Sequence, residues 1–542
     1  MVGVPGRSKA CNTCKKRRIR CGLERPQCAN CVKSNRLCAG YQRERVFIVN
    51  QAVHPLSHTA QKVKPDSPET VDDQDMGITN PKLPIWKQKH RHPKPSTSRQ
   101  ISLIPAYRQQ LLDNYIRTTI PDVSHAGPGA TWWVQSLAQL PSHTPVLATA
   151  ILAVSLSKAA SVHHDANLRL QSLEHYTTGL WELQKALWSP DEMYRDETLA
   201  ACLLLAVYEL IECPGGSRVG FISHQDGAAR LVQLRGPEAH VDGFGHAMFL
   251  AYRNMGILHG LDRRTPLFLA EGDWMTVPFQ KHPKGMGERI WDAIAQAPRV
   301  FQRTDEMQRS VPVRSLCIAL EALEYCWEVD GDLEKLYKEL EASIPGPLFW
   351  PELAEKGTAV GGEEECDEAR EGTLFPVAYK FFNLRMAMVL LSYWSLLTIV
   401  YNGMMLLHRV LETLPVDRKA VKALGDKVPA ALLRGISADC PPGCACGGDP
   451  DVPCIVRFDM STIRPLEHRG NVLGPVRDIC QTVEYCTQPQ MRDMGWTSIV
   501  APLTIAVETI KEYDWCRRER EWGRHVLRGF HRQLPYLKNM WY

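Results

Sequence analysis

The stretch that decides the fold runs from Cys11 to Cys38 and reads CNTCKKRRIRCGLERPQCANCVKSNRLC. Its six cysteines are spaced C-x2-C-x6-C, followed by six residues and then C-x2-C-x6-C again. The repeated spacing predicts two pseudo-symmetric half-units, each with a short helix after its CxxC pair and an extended return to its third cysteine. So small a module has almost no apolar core, and we therefore expect bound metal to supply its folding free energy.

Four kinds of chemistry use cysteines at such spacings: a disulfide framework, a redox pair, two small zinc sites, and one shared metal cluster. No apolar signal sequence precedes the cysteines, so we expect a reducing compartment, which disfavours structural disulfides. A CxxC redox site would need a βαβ context, which is missing. A single zinc site of four cysteines would leave the other two cysteines without a metal to bind. Two zinc ions need eight thiolate contacts, which six cysteines supply if two of them bridge both metals.

Positive charge is concentrated at the same end of the chain. Residues 1–45 contain twelve Lys and Arg and only two Glu, a balance of +10, whereas the whole chain carries +4. The remaining residues therefore carry −6. A short basic head on a mildly acidic body is expected when one end of a protein meets a polyanion.

The cysteine stretch resembles the fungal six-cysteine binuclear zinc-cluster transcription factors, including the basic run after the second cysteine and a proline, Pro26, two residues before the fourth. The resemblance implies a small module of two short helices in which two Zn²⁺ ions per chain are held by Cys11, Cys14, Cys21, Cys28, Cys31 and Cys38. In the family the first and fourth cysteines bridge the metals. Here those are Cys11 and Cys28, with Cys14 and Cys21 completing one site and Cys31 and Cys38 the other.

The same resemblance implies that the basic run KKRRIR binds double-stranded DNA in the major groove. A CGG-type triplet would be read by the third and fourth residues after the second cysteine, which are Arg17 and Arg18, through guanine O6 and N7. Arginine stands here where the family often has lysine, and its fork donates to guanine as well. Lys15, Lys16 and Arg20 are then expected to contact phosphates. The run KKRR also fits a nuclear import signal, and the two roles are compatible.

Three regions are expected along the chain. Residues 1–45 form the DNA-binding module, and residues 46–99, rich in Pro, Ser, Lys and Asp without periodicity, form a flexible, disordered linker. Residues 100–542 show apolar residues at helical spacing almost throughout, which predicts one large all-α domain of one or two lobes. Thr144 followed by Pro145 predicts a helix start.

Part of this helical region also resembles the regulatory domain that follows the zinc cluster in one branch of the family. The stretch FISHQDGAARLVQLRGPE, residues 221–238, matches it at His224, Gly227, Ala228 and Arg235-Gly236-Pro237. LPSHTPVLATAILAVSLSKAA, starting at Leu140, is similar to a second such stretch. The resemblance implies a regulatory role for this domain.

Two features of the helical region leave alternatives open. The uncharged run from Ala387 to Leu407 is long enough to span a bilayer, although its polar residues and helical surroundings favour a buried helix. The loop containing Cys440, Cys444, Cys446 and Cys454 could form a second metal site, but its spacing C-x3-C-x-C-x7-C matches no common zinc pattern.

Together these observations predict a nuclear, zinc-dependent, sequence-specific DNA-binding regulator of RNA polymerase II transcription. No nucleophile elbow, P-loop, HExxH or dinucleotide motif indicates an enzyme. Expected partners are DNA and the transcription machinery or co-regulators, with a homodimer as an option and without a membrane. The alternatives are an enzyme with a structural zinc appendage and a membrane-tethered regulator released on demand.

Overall fold

The computed structural model divides the chain into two units, with the boundary between residues 96 and 97. The residues it describes are 10–17, 19–24, 27–36, 38, 104–127, 133–138, 140, 144–355, 374–436, 440, 443–447, 449 and 451–530. The predicted linker, residues 46–99, lies outside them, as do Arg18 and Pro26.

The cysteine-rich head contains two short helices, α1 (Asn12–Lys16) and α2 (Ala29–Lys33). Each helix starts within its CxxC pair and includes the second cysteine, rather than following the pair as the sequence suggested. Cys28 is the N-cap of α2, and its sulfur accepts a hydrogen bond from the Cys31 N–H. A cysteine sulfur thus takes the capping role that Ser or Asp oxygen usually fills.

The second unit is largely helical, as predicted. Its helices are α3 (Ile104–Thr119), α4 (Val123–Ala126), α5 (Trp133–Leu137), α6 (Pro145–His163), α7 (Ala166–Trp188), α8 (Pro190–Met193), α9 (Asp196–Glu212), α10 (Val219–Arg235), α11 (Gly243–Arg263), α12 (Gly272–Thr276), α13 (Met286–Asp305), α14 (Pro312–Ser343), α15 (Leu384–Thr413), α16 (Arg418–Leu424), α17 (Ala430–Gly435), α18 (Leu473–Thr487), α19 (Arg492–Thr509) and α20 (Arg517–Gly529).

Local sequence explains several of these boundaries. Thr144 is the N-cap of α6 and Pro145 its first residue, as expected from the pair. Helix α9 begins with Asp196 and Glu197, whose charges favour a helix N-terminus, and it ends at Cys213, which adopts a left-handed conformation with φ 43°. The Pro-Gly-Gly that follows prevents the helix from continuing.

Two short antiparallel strand pairs interrupt the helices, and the sequence did not predict them. Strands β1 (Phe349–Leu353) and β2 (Val377–Phe381) pair with Phe349 opposite Phe381. Strands β3 (Val416–Asp417) and β4 (Ile455–Val456) pair with Val416 opposite Val456. Each pair joins segments that are distant in sequence, so no local hairpin signal announces it.

Two hydrophobic clusters form the core, and α15 contributes to both. Its first half places residues such as Leu390 and Trp394 among the side chains of α18 to α20, while its second half places Val400 and Met404 against α14 and the earlier helices. Helix α6 packs mainly on α7 and α9. The predicted option of two lobes thus corresponds to two clusters around one shared helix.

Among the described residues, two helices are long and apolar enough to cross a membrane by length and composition, α6 and α15. In the most apolar part of α6, 67% of the residues are buried inside the unit, and in α15 the share is 56%. The uncharged run 387–407 lies in α15 and provides core side chains on both sides of the helix. Packing within the helical unit therefore accounts for its apolar character.

A buried ion pair links α14 to the segment before α18. The Arg469 guanidinium donates through Nε to Asp330 Oδ2 at 2.6 Å, and the two side chains are only 6% and 5% exposed. The cation also lies 5.0 Å from the centre of the Trp327 ring. Such a pair is stable only while both charges are present, since a single buried charge has no compensation.

We therefore expect Asp330→Ala to destabilise the full chain by about 3–5 kcal/mol, because it leaves the buried Arg469 cation with only the longer 3.8 Å contact to Glu467, a side chain that is 61% exposed. The matched control is Asp332→Ala, two residues along the same helix, where the pair with Lys335 is 71% and 74% exposed. Asp332→Ala should lower the free energy of unfolding by less than about 1 kcal/mol. Urea unfolding followed by far-ultraviolet circular dichroism measures both, and equal midpoints for the two variants would contradict the prediction.

Candidate metal centre and nucleic-acid interface

The six cysteines of the head lie together and form two overlapping groups. Cys11, Cys14, Cys21 and Cys28 make one group, and Cys11, Cys28, Cys31 and Cys38 make the other. Within each group all four sulfurs lie within 4.8 Å of one another. The two groups share Cys11 and Cys28, the pair that the resemblance implies as bridging ligands.

The sulfur separations fit metal coordination rather than disulfides. The Sγ atoms of Cys28 and Cys11 are 3.6 Å apart, those of Cys28 and Cys14 are 3.5 Å apart, and those of Cys11 and Cys31 are 3.8 Å apart. A tetrahedral zinc with Zn–S bonds of about 2.3 Å places its sulfurs about 3.8 Å apart. A disulfide would bring two sulfurs to about 2.05 Å. The head therefore presents donor atoms of the kind and spacing that zinc requires.

Backbone hydrogen bonds to sulfur repeat in the two halves of the head. The Cys14 N–H donates to Cys11 Sγ at 3.4 Å, and the Cys31 N–H donates to Cys28 Sγ at the same distance. The two acceptors, Cys11 and Cys28, are the cysteines common to both groups. Donors aimed at a thiolate stabilise its negative charge and fix its direction, as outer-shell groups do around metal ligands.

Burial sets the protonation of these thiols. Loss of water around the sulfur raises the pKa of Cys14 to about 12, and the same effect raises the pKa of Cys11 further. Such thiols are neutral near pH 7, and only a bound cation makes their deprotonation favourable. Metal binding by this head is thus coupled to proton release.

The segment between the two halves is fixed by polar contacts with α2. Glu24 Oε2 accepts a hydrogen bond from the Ala29 N–H at 2.8 Å, and Asn30 Nδ2 donates to the Arg20 carbonyl at 2.5 Å. The Ala29 N–H lowers the pKa of the Glu24 carboxyl, so that Glu24 is ionised at the N-terminus of the helix. These two contacts attach the segment that follows the first half of the head to helix α2 in the second half.

The described basic residues of the first half do not all lie on one helix. Lys15 and Lys16 are the last residues of α1, Arg17 lies in the turn after it, and Arg20 lies in the extended segment that follows. Helix α1 therefore ends within the basic run and does not include all of it. Lys16, Arg17 and Arg20 are exposed, whereas Arg18 and the side chain of Lys15 lie outside the described residues.

One of these basic residues also contacts the other half of the head. Arg17 Nη1 donates to Ser34 Oγ at 3.5 Å, and the Ser34 hydroxyl donates to the Asn30 carbonyl at 2.7 Å. Lys33 and Arg36, on the second half, are exposed as well. The described part of the head thus combines a sulfur interior with a surface that carries several exposed cations.

In the helical unit, the residues that carry the second resemblance have packing roles. Ala228 is fully buried, and Gly236 ends α10 with φ 78°, a conformation that favours glycine. Arg235 pairs with Asp196 and donates to the Arg195 carbonyl at 3.2 Å, which ties the end of α10 to the start of α9. Burial lowers the pKa of His224 to about 4, so this imidazole is neutral at pH 7.

A large cavity of about 1360 Å³ lies in the helical unit, between residues of α11, α13, α15 and α19. Side chains such as Phe301, Val400 and Val500 make its lining mainly apolar. Six charged residues on the lining form three ion pairs: Arg218 with Asp262, Arg264 with Asp305, and Lys511 with Glu508.

Comparisons with known proteins agree with this arrangement. Residues 9–45 match the Fungal Zn(2)-Cys(6) binuclear cluster domain, and residues 104–261 match the Fungal specific transcription factor domain. The match and the six clustered cysteines establish that the head binds two zinc ions. No solved structure matches the chain.

Two curated relatives come from Emericella nidulans. One is an uncharacterized protein, 30% identical over 170 residues, or 29% of this chain and 36% of the relative. The other is the aspercryptin biosynthesis cluster-specific transcription regulator atnN, 25% identical over 248 residues, or 44% of this chain and 37% of the relative. The chain thus matches little more than a third of the length of these relatives. The chain thus combines a region that matches the fungal six-cysteine binuclear zinc-cluster domain with a region that matches the fungal specific transcription factor domain, in that order.

Proposed function

We propose that the chain is a nuclear, zinc-dependent, sequence-specific DNA-binding regulator of RNA polymerase II transcription, without catalytic activity of its own. The observation that carries the proposal is the pair of sulfur groups sharing Cys11 and Cys28 beside exposed cations on the same small unit. Neither feature alone suffices, since sulfur clusters also serve purely structural roles and basic runs also serve nuclear import.

In this proposal Cys11 and Cys28 bridge the two zinc ions, Cys14 and Cys21 complete one site, and Cys31 and Cys38 complete the other. Membership of Cys11 and Cys28 in both groups supports that assignment. Each zinc then has four sulfur ligands and no open position, which is characteristic of a structural rather than a catalytic site. The zinc ions supply cross-links that hold the short helices together, and the protein surface recognises DNA.

DNA recognition is assigned to the basic run of the first half. We place Arg17 and Arg18 at the edges of the guanines in a CGG-type triplet, since a guanidinium can donate two hydrogen bonds to guanine O6 and N7. Lys15, Lys16 and Arg20 contact phosphates and provide affinity without sequence preference. The contact between Arg17 and Ser34 supports this placement, because it restrains the arginine before DNA is bound.

The helical unit is assigned a regulatory role through the transcription machinery or co-regulators. One relative is named a cluster-specific transcription regulator, which supports regulation as the general activity. Homodimer formation would place two heads on one DNA molecule, with the half-site spacing set by their separation. The packing of α6 and α15 inside the helical unit favours this assignment over a membrane-tethered regulator.

The bridging assignment predicts that Cys28→Ala removes both zinc ions of the head, because the sulfur of Cys28 belongs to both groups. The control is Cys202→Ala, which removes an equally buried thiol from the helical unit. Zinc content of the full chain, measured by mass spectrometry of the digested protein, should fall by two equivalents in the first variant only. A head that keeps a zinc ion after Cys28→Ala would contradict the shared-ligand arrangement.

The DNA assignment predicts that Arg17→Ala combined with Arg18→Ala lowers discrimination between CGG and a scrambled triplet about tenfold or more. Each lost bidentate contact removes about 1–3 kcal/mol of preference. The matched control, Lys33→Ala with Arg36→Ala, removes the same charge from the second half and should weaken binding to both sequences alike. Fluorescence anisotropy with the zinc-loaded full chain measures both effects.

If the variant with both Arg17 and Arg18 replaced lost affinity equally for both sequences, these residues would contact phosphates and not base edges. Full retention of discrimination would remove them from the interface altogether. Zinc content is measured in each variant, so that a loss of binding caused by an unfolded head is recognised directly.

A further inference from the structure

A third group of cysteines lies in the helical unit, in the loop between α17, which ends at Gly435, and β4, which begins at Ile455. The sulfurs of Cys440, Cys444, Cys446 and Cys454 all lie within 4.8 Å of one another. These residues are outside both matched domains, at 9–45 and 104–261. Four cysteines spread over this loop have therefore been brought to one point by the fold.

Separations within this group resemble those in the zinc-binding head. The Cys454 sulfur is 3.8 Å from that of Cys440 and 3.7 Å from that of Cys444, and the sulfurs of Cys440 and Cys446 are 3.1 Å apart. The first two values agree with the spacing of about 3.8 Å expected around a tetrahedral zinc. All three exceed the disulfide bond length of about 2.05 Å by a wide margin.

Local backbone geometry turns the loop so that its sulfurs converge. Gly443 and Gly447 have φ values of 77° and 53°, in the left-handed region that glycine adopts without strain. The Gly447 N–H donates to the Cys444 carbonyl at 3.1 Å, and the Asp449 N–H donates to the Cys446 carbonyl at 2.8 Å. Successive tight turns therefore surround Cys444 and Cys446.

The fourth cysteine, Cys454, is held in position by residues at the short β3–β4 pair. Cys454 precedes β4 and is buried, its N–H donates to Asp417 Oδ1 at 2.9 Å, and its carbonyl accepts from the Arg418 N–H at 2.9 Å. Lys419, the next residue, donates through its ammonium to the carbonyls of Asp449 and Val452. The C-terminal part of the loop is thus attached to the segment around β3, and the Lys419 ammonium lies beside it.

We propose that Cys440, Cys444, Cys446 and Cys454 hold a third zinc ion, in addition to the two in the head. Four thiolates with no open position make a closed, structural site. A zinc ion with four thiolates carries a net charge of −2, which a neighbouring lysine stabilises. The ion would cross-link the loop to the β3–β4 pair.

The first test compares zinc content in variants of the full chain. Cys440→Ala combined with Cys454→Ala should lower the zinc content by one equivalent and leave the two zinc ions of the head in place. The control is Cys480→Ala combined with Cys486→Ala, which removes two buried thiols from α18 in the same helical unit. It should leave the zinc content unchanged, and equal zinc content in both double variants would overturn the proposal.

The second test separates this site from the head. In the full chain carrying Cys11→Ala and Cys28→Ala, one equivalent of zinc should remain. Replacement of that zinc by Co²⁺ should give the intense thiolate-to-metal charge-transfer bands and the visible bands of a tetrahedral four-thiolate site. Adding Cys440→Ala and Cys454→Ala to this background should abolish them.

Several results of the second test would overturn the proposal independently of the head. One is a head-deficient chain that binds no Zn²⁺ or Co²⁺, and another is a chain purified with iron in this position. A third is a peptide that covers this loop, isolated under non-reducing conditions, whose mass is lower by two hydrogens for each sulfur pair. That mass would identify Cys440–Cys446 or Cys444–Cys454 as disulfides. Failure of the head to bind DNA would affect none of these readouts.

Discussion

Thiolate–metal bonds are the interaction on which the head of this protein depends. Its buried interior consists of the sulfurs of Cys11, Cys14, Cys28 and Cys31, with Ala10 and the two remaining cysteines packed around them. Two helices of five residues each cannot persist in water by their own hydrogen bonds. Metal binding at structural zinc sites releases about 10–16 kcal/mol, which is comparable to the stability of an entire domain. Recognition residues on such a head are therefore only as ordered as its metal cluster.

The helical unit is stabilised by a different interaction, the burial of apolar surface along α15. This helix passes through both hydrophobic clusters, so its uncharged run has protein neighbours along most of its length. The same unit also contains a buried ion pair, the Asp330–Arg469 contact. Because each unit has its own source of stability, loss of zinc from the head need not unfold the helical unit.

Sequence alone predicted the features that depend on local or strictly spaced residues. Two identical cysteine spacings determine which sulfurs can meet, and helical periodicity with the Thr144–Pro145 start determines the helical class. The end of α1 at Lys16 was not predictable from the basic run, since Lys and Arg favour helix and only the return of the chain toward Cys21 ends it. Strands β1 to β4 were missed because each pairs with a segment far away in the sequence.

The cysteines at 440–454 show that sequence-based prediction of a functional site is limited in the same way. Their irregular spacing gives no recognisable zinc pattern, because convergence depends on two glycines with positive φ and on contacts of Cys454 with Asp417 and Arg418, which lie more than thirty residues earlier. In the head, by contrast, CxxC pairs bring two sulfurs together within one helical turn. A metal site built by local turns can be read from spacing, whereas one built by tertiary contacts requires the fold. Spacing patterns will therefore underestimate zinc sites in large helical domains wherever a loop is ordered by a distant strand.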